Sequence, residues 1–514
     1  MPLHKNTYPI IDIFAGPGGL GEGFSSASHH DGKALFHSLA SIERDEHSHS
    51  TLLLRHFFRS FPEGKVPEAY YKYLKGTISK DDLFDLHQPQ FEAASRSALR
   101  ISLGDESHNL VKEILHKKLS RKNKWALIGG PPCQAYSLVG RSRMMGNPDF
   151  DNDERHFLYR EYLKIIVDHQ PPVFVMENVK GILSAKVNGE PIIGKIISDL
   201  TKPKLALNSS ENGLAYNLYS FSKAGKPTNS IDPRSFLVKA EEYGVPQARH
   251  RMFILGIRSD IKVKPRLLHP HQPPTVREVI GNLPPIRSGL SRESDVTSRW
   301  REIIENFSMK SLESEMDDTG IARKVDRELK KQLALKFPEE RSSEKYPGAI
   351  VGDHPLLKSF YDPNLTTLTS HESRSHMTSD IGRYMFTATY GCAIGESPKM
   401  KDFPVSLLPN HKNVELARKG KMFSDRFRVQ LANQVSTTIT SHISKDGHYF
   451  IHYDPTQCRS LSVREAARLQ SFPDNYKFEG PRTAQYHQVG NAVPPYLAKQ
   501  IAEIVHEVLD NMDS

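Results

Sequence analysis

The chain has 514 residues, 38% apolar and 25% charged, which is material for two or three domains with a large core. Its three cysteines, Cys133, Cys392 and Cys458, lie far apart without metal-ligand spacing, so neither a disulfide framework nor a metal site is expected. No stretch approaches the roughly 20 consecutive apolar residues of a membrane span, and Met1 to Asn6 lack an apolar signal region. The expected location is the cytoplasm, and the net charge of +9 suits a polyanionic partner without requiring one.

Ile10 to Phe14 reads as a buried strand, Gly16 to Gly19 as a turn, and Leu20 to Ala27 as the start of a helix. Glycines at a strand-to-helix turn let a ligand approach the backbone, and the helix N–H groups attract an anion. The spacing of Gly16, Gly18 and Gly19 differs from the dinucleotide fingerprint, and a carboxylate fits as well as a phosphate; a tight turn without ligand explains the glycines nearly as well. Ala40 to Ile42 is the second strand and ends at Glu43, where an acidic side chain can bond ribose hydroxyls. Residues 55–100 look like an insertion. Asp105 follows the expected third strand; it and Glu43 read equally well as exposed charges at strand ends.

A helix over Asn109 to Leu119 leads to the strand Trp125 to Ile128 and then to Gly129-Gly130-Pro131-Pro132-Cys133-Gln134. A thiol on a proline-stiffened loop at the C-terminal edge of a parallel sheet sits where such sheets bind ligands, though a buried loop thiol is as good a reading. The run from Ser137 to Asn147 carries Gly140, Arg141, Arg143 and Gly146 and reads as a basic loop. A helix from Phe157 to His169 precedes the strand Val173 to Met176, which delivers Glu177 at its end. A carboxyl there can hold a proton against a ring nitrogen or merely cap the next turn. Before the strand Arg251 to Gly256 stands Gln247-Ala248-Arg249-His250; period-2 alternation puts Arg249 and Arg251 on one face. Short apolar strands separated by helices define an α/β fold, a doubly wound, mostly parallel sheet.

After about residue 260 the pattern changes. Proline clusters mark loops, residues 299–345 are charged and helical, and about 350–458 is rich in Thr, Ser, His and short β-like runs, giving a second, irregular α+β domain. Val463 to Phe472 is amphipathic, Gln488 to Pro495 contains Asn491 and Val493 at a turn, and a last helix runs from Tyr496 to Leu509.

In type and order these segments resemble the ten-block pattern of the DNA (cytosine-5) methyltransferase family. The matching blocks are Asp12 to Gly19, Gly130-Pro131-Pro132-Cys133-Gln134, Glu177-Asn178-Val179, Tyr243 to Arg251, Arg464 to Asp474, and Gly490 to Pro495. The resemblance implies a Rossmann-like domain using S-adenosylmethionine, and a nucleophile, Cys133, that attacks C6 of a flipped cytosine. Glu177 would hold N3 and the amino group, with Arg251 and Arg249 at the base. Phe14, Gly16, Gly18 and Gly19 would lie near the methionine part, Glu43 at the ribose and Asp105 at the adenine. Pro132, Leu158, Asn491 and Val493 match lining positions. Gln134, Ser137, Arg141 and Arg143 would meet DNA, as would the basic stretch Lys412 to Arg428. The implied layout is a catalytic domain over 1–284 with the 55–100 insertion, a target recognition domain and hinge over 285–483, and a returning segment over 484–514. A monomeric bacterial modification enzyme acting on duplex DNA is expected, with a restriction endonuclease as its counterpart. The alternatives are an RNA cytosine-5 methyltransferase, whose tRNA-acting member carries a Cys-Phe-Thr signature absent here, and an inactive DNA-binding paralogue, which would have lost Cys133 or Glu177. A nicotinamide dehydrogenase leaves the Cys133 and Gln247–Arg251 blocks unexplained.

Overall fold

The computed structural model describes residues 6–132, 158–187, 190–207, 213–224, 232–308, 312–410, 414–420 and 424–512. Strand β1 (Tyr8–Ile13) is buried at every position, and its alternate side chains feed two separate cores, Ile10 on one face and Ile11 and Ile13 on the other. It pairs in parallel with β2 (Phe36–Glu43), which carries β3 (Ala98–Arg100), and with β4 (Ala126–Gly129), which carries β5 (Val173–Val179). Beyond β5 come β6 (Tyr216–Tyr219), β7 (Leu237–Lys239) and β8 (His250–Arg258), with β8 antiparallel to β5, β6 and β7. The order is β3-β2-β1-β4-β5-β8-β6, with β7 also beside β8. A parallel sheet needs cover on both faces, and the helices supply it.

Helix α1 (Gly19–Ser26) starts directly at the glycine turn. The segment read as an insertion is a bundle of four helices: α2 (Glu46–Arg59), α3 (Glu68–Leu74), α4 (Lys80–Leu86) and α5 (Gln88–Ser97). Helical structure thus begins earlier than position 55. Asp45 caps α2 by accepting from the Ser48 N–H at 2.8 Å, and Ser79 with Asp82 forms a capping box on α4, each satisfying amides that a helix start leaves open. The bundle ties distant parts together. Arg55 donates twice to Glu22 on α1, at 2.8 and 2.6 Å, while Tyr70, Tyr71 and Tyr73 donate to Asn475 O, Asp362 and Glu479 at 2.9, 2.9 and 2.6 Å.

Helices α6 (Asp105–Leu119), α7 (Leu158–His169) and α8 (Ile192–Thr201) cover the sheet face that holds Ile11, Ile13, Phe174 and Met176. In the second domain, α9 (Thr297–Ser308), α10 (Thr319–Leu333) and α11 (Thr378–Ile394) pack Trp300, Val325 and Tyr384 into a core of their own. The β-like Thr/Ser runs expected there form only two-residue pairs and bridges among the described residues: Gly289–Leu290 with Ser375–His376, and Ser436–Thr437 with Gln247–Ala248. Hydroxyl side chains satisfy neighbouring backbone groups locally and compete with extended ladders.

Helices α12 (Val463–Leu469), α13 (Arg482–Asn491) and α14 (Pro495–Asp510) finish the chain. The expectation that Val463 to Phe472 is amphipathic is corrected: every residue of α12 is buried. Its charges are matched internally rather than solvated. Arg468 binds Asp474 twice, at 2.8 and 2.7 Å, and Glu465 accepts two bonds from Arg459, at 2.7 and 2.6 Å. The core around α12 draws on both sides of residue 284, combining Val276, Val279 and Ile280 with Ile439, Val463 and Tyr486. Helix α14 returns to α1 and covers the other sheet face through Leu497, Ile501 and Val505.

Burial alone would raise the Glu22 carboxyl, but the Arg55 and Arg59 charges overcome it and hold it at about 2, below its ordinary 4.5. A depressed carboxyl contributes stability that is present above its unfolded pKa and is lost as pH falls through the folded one. Urea midpoints measured from pH 7 downward should therefore fall between about 4.5 and 2. Glu22→Gln should lower the midpoint at pH 7 and flatten that decline; an unchanged acid profile would show that the pair contributes nothing.

Candidate active site

The loop after β1 is shaped by backbone conformation. Phe14, Gly16 and Gly18 all have positive φ, at 56°, 58° and 94°, and a non-glycine residue held there signals a site where the surrounding structure overrides strain. The Gly16 N–H donates to Glu43 Oε2 at 2.8 Å, and Glu43 Oε1 accepts from the Arg44 and Asp45 N–H groups at 2.8 and 2.7 Å. The end of β2 thus clamps the turn after β1. A Cβ on Gly19 would lie 2.4 Å from Val493 O, and one on Gly18 would lie 2.9 Å from Leu52 and 3.1 Å from the Tyr476 hydroxyl. That hydroxyl donates to Pro17 O. Gly16, Gly18, Gly19, Glu43 and Val493 therefore converge on one cradle, to which Leu52 and Tyr476 also belong. Neither of these two stood out in the sequence, because each is an ordinary apolar or aromatic residue far from the turn.

Beneath the cradle lies Asp12, 1% exposed, its carboxyl beside the Gly21 backbone. Burial, with the Glu43 charge nearby, holds this carboxyl well above the usual carboxylate range. Among the described residues, no atom beyond its chain neighbours lies within 4 Å of where a Cβ on Gly16 would stand, so the cradle leaves a ligand room against the backbone. Other expected lining residues are more dispersed. Asn491 is exposed at the end of α13, while Pro132 and Leu158 are half-buried. Asp105 is exposed at the first turn of α6 and is ion-paired with Lys164 of α7.

The second half of the site is the edge between β5 and β8. Arg251 stands opposite Val179, one diagonal step from Glu177 on the same face, and its Nε is 3.1 Å from Glu177 Oε1. Burial lifts the Glu177 carboxyl above its ordinary value, against the pull of the Arg251 and Arg249 charges. Raised in this way, the group keeps a proton to a higher pH than a free carboxylate does. Gly130 leaves it room: a Cβ there would lie 2.8 Å from Glu177 Oε2. Asn178 donates to Pro131 O at 3.4 Å, tying β5 to the loop that leads to Cys133. Arg249 is 1% exposed and donates to Ile439 O at 2.8 Å and Gly490 O at 3.2 Å, so its terminal nitrogens face backbone carbonyls. Cys133, Gln134, Ser137, Arg141 and Arg143 lie outside the described residues. Of the two described thiols, Cys392 is exposed and Cys458 is buried, and burial pushes the Cys458 thiol well above its ordinary value. In the basic stretch, Arg418 pairs with Asp317 and Arg428 with Asp425.

A doubly wound sheet with a glycine cradle after its first strand and an antiparallel strand beyond its fifth is that of an S-adenosylmethionine-dependent methyltransferase. A protein described as a prophage-encoded DNA modification methyltransferase of E. coli shares this fold, with a TM-score of 0.51 and 20% identity over 98% of this chain and 100% of that one. The family model of the C-5 cytosine-specific DNA methylases matches residues 105–507, and the chain belongs to that family. It is 31% identical to the type II methyltransferase M.Bpa9945I of Bacillus paralicheniformis over 98% of this chain and 99% of that protein. It is 28% identical to the DNA (cytosine-5-)-methyltransferase M.ApeKI of Aeropyrum pernix over 75% and 81% of the two chains.

Gly130→Ala tests the packing at Glu177. The added methyl should displace the carboxyl and cut methyl transfer by about a hundredfold with little change in melting temperature; full activity would mean the carboxyl's position is uncritical.

Proposed function

We propose that the enzyme flips a cytosine out of duplex DNA and methylates its C5 through a covalent adduct between Cys133 and C6. The observation that carries this reading is the half-buried Glu177, paired with Arg251 and lodged against Gly130 three residues before Cys133. A stacked cytosine offers no free face to a thiol and a methyl donor together, so the base must leave the helix at a cost of a few kcal/mol.

In this reading the Cys133 thiolate adds to C6. Glu177 hydrogen-bonds N3 and gives it a proton, so the electrons displaced from the C5–C6 double bond do not build unstabilised charge in the ring. Arg251 orients that carboxyl and faces the base. S-adenosylmethionine, when bound, supplies an electrophilic methyl group, and C5 takes it. Loss of the C5 proton to water then restores the C5–C6 double bond and expels the Cys133 thiolate, and N3 returns its proton to Glu177. The cradle residues fit the donor: glycine backbone for its methionine part and Glu43 for its ribose. Phe14, Pro132, Leu158, Asn491 and Val493 would line it, and Asp105 would have to exchange Lys164 for the adenine. Gln134, Ser137, Arg141 and Arg143 would contact DNA, and the second domain would read the target. The printed names of the relatives favour a type II methyltransferase; our reading adds that it acts as a monomer in the cytoplasm beside an endonuclease of the same specificity.

Cys133→Ser should abolish turnover and the covalent complex with 5-fluorocytosine DNA while leaving the fold and donor binding intact. Failure of the wild-type protein to form that complex would overturn the mechanism. Glu177→Gln should slow methylation by about 10²–10⁴-fold with DNA affinity kept, measured by tritium transfer and gel shift. Transfer to tRNA instead of plasmid DNA would favour an RNA substrate.

A further inference from the structure

Helix α12 ends in a side chain that the reaction above does not use. Gln470 is fully buried, and its Nε2 donates to Val489 O at 2.9 Å and Ala492 O at 2.7 Å. Both acceptors are backbone carbonyls, so only the amide nitrogen can face them, and Oε1 must point away. It accepts from Gln247 Nε2 at 2.6 Å, a nitrogen that also reaches Leu469 O at 3.2 Å. Gln247 in turn accepts the Ile439 N–H at 2.9 Å through its Oε1. The two amides form a relay with a single permitted orientation.

Both ends of the relay meet the active site. Ala492 adjoins Val493, whose carbonyl fills the space where Gly19 lacks a Cβ; this is the rim of the donor cradle. Gln247 is two residues before Arg249 and four before Arg251, which pairs with Glu177. Arg249 closes the circuit by bonding Ile439 O and Gly490 O, and Gly490 is pressed so close that a Cβ would meet Ser441 N at 2.3 Å. Helix α12 thus holds the base-side strand and the donor-side rim through one buried carboxamide.

We propose that Gln470 is a positioning residue that sets the base-binding edge and the donor rim relative to each other, so that its loss damages both at once. The inference rests on the catalytic reading above. In Q470E the volume is kept, but an oxygen faces two carbonyl oxygens. At a temperature well below melting, kcat should fall about tenfold or more and KM for S-adenosylmethionine should rise about tenfold. A merely structural role would lower the melting temperature and leave both constants within about twofold of wild type; that result, or a change in only one constant, overturns the proposal. Where Q470E fails to fold, Q470M is read in the same way. Hydrogen exchange on the wild-type protein gives a measurement independent of any variant: the Ile439 amide should slow on adding S-adenosylhomocysteine, and unaltered exchange also overturns the proposal. Trapping of the wild type on 5-fluorocytosine DNA, run alongside, separates failure of this inference from failure of the catalytic reading.

Discussion

A carboxyl group partly withdrawn from water and held against one guanidinium, with the charge of a second nearby, is the interaction on which the site depends. Glu177 reaches this environment because β8 runs antiparallel to β5 and brings Arg251 diagonally across it. Burial raises its proton affinity, while Arg251 and Arg249 limit the rise. A group in that balance can hold a proton against a ring nitrogen and still be restrained in orientation. Gly130 is part of the same balance, since any side chain there would compete with the carboxyl for space.

The cradle obeys a different constraint. Its parts are backbone, and their approach is limited by whatever a Cβ would strike: Val493 O at Gly19, Leu52 and Tyr476 at Gly18. The helical bundle between β2 and β3 holds this arrangement from outside, through Arg55 and Arg59 on Glu22 and through tyrosines that reach Asp362 and Asn475. The cradle is therefore buttressed by segments hundreds of positions away.

What could be read from the sequence follows from how local each signal is. The strand-turn-helix at Ile10 to Ala27, the apolar strands, and the acidic residue ending β5 are short-range patterns, and the doubly wound sheet follows from them. The role of the 55–100 segment was opaque because its tyrosines find partners only after Asp362. Arg249 and Arg251 alternate along the chain as strand residues do, but the bonds of Arg249 go to Ile439 and Gly490, 190 and 241 positions distant. Helix α12 reads as amphipathic because apolar residues alternate with its arginines and glutamate; the burial of those charges depends on Asp474, Arg459 and Thr369, and pairing of that kind has no signature in period.

The first and last helices form one layer. Tyr8 binds Asp510 at 2.8 Å, His506 lies edge-on to Phe36 with ring centroids 5.8 Å apart, and Gly23 admits Ala498 so closely that a Cβ would sit 2.3 Å from its methyl. Removing the stretch from Arg482 onward would thus strip the cover from α1 and take away the Val493 wall of the glycine cradle in a single step.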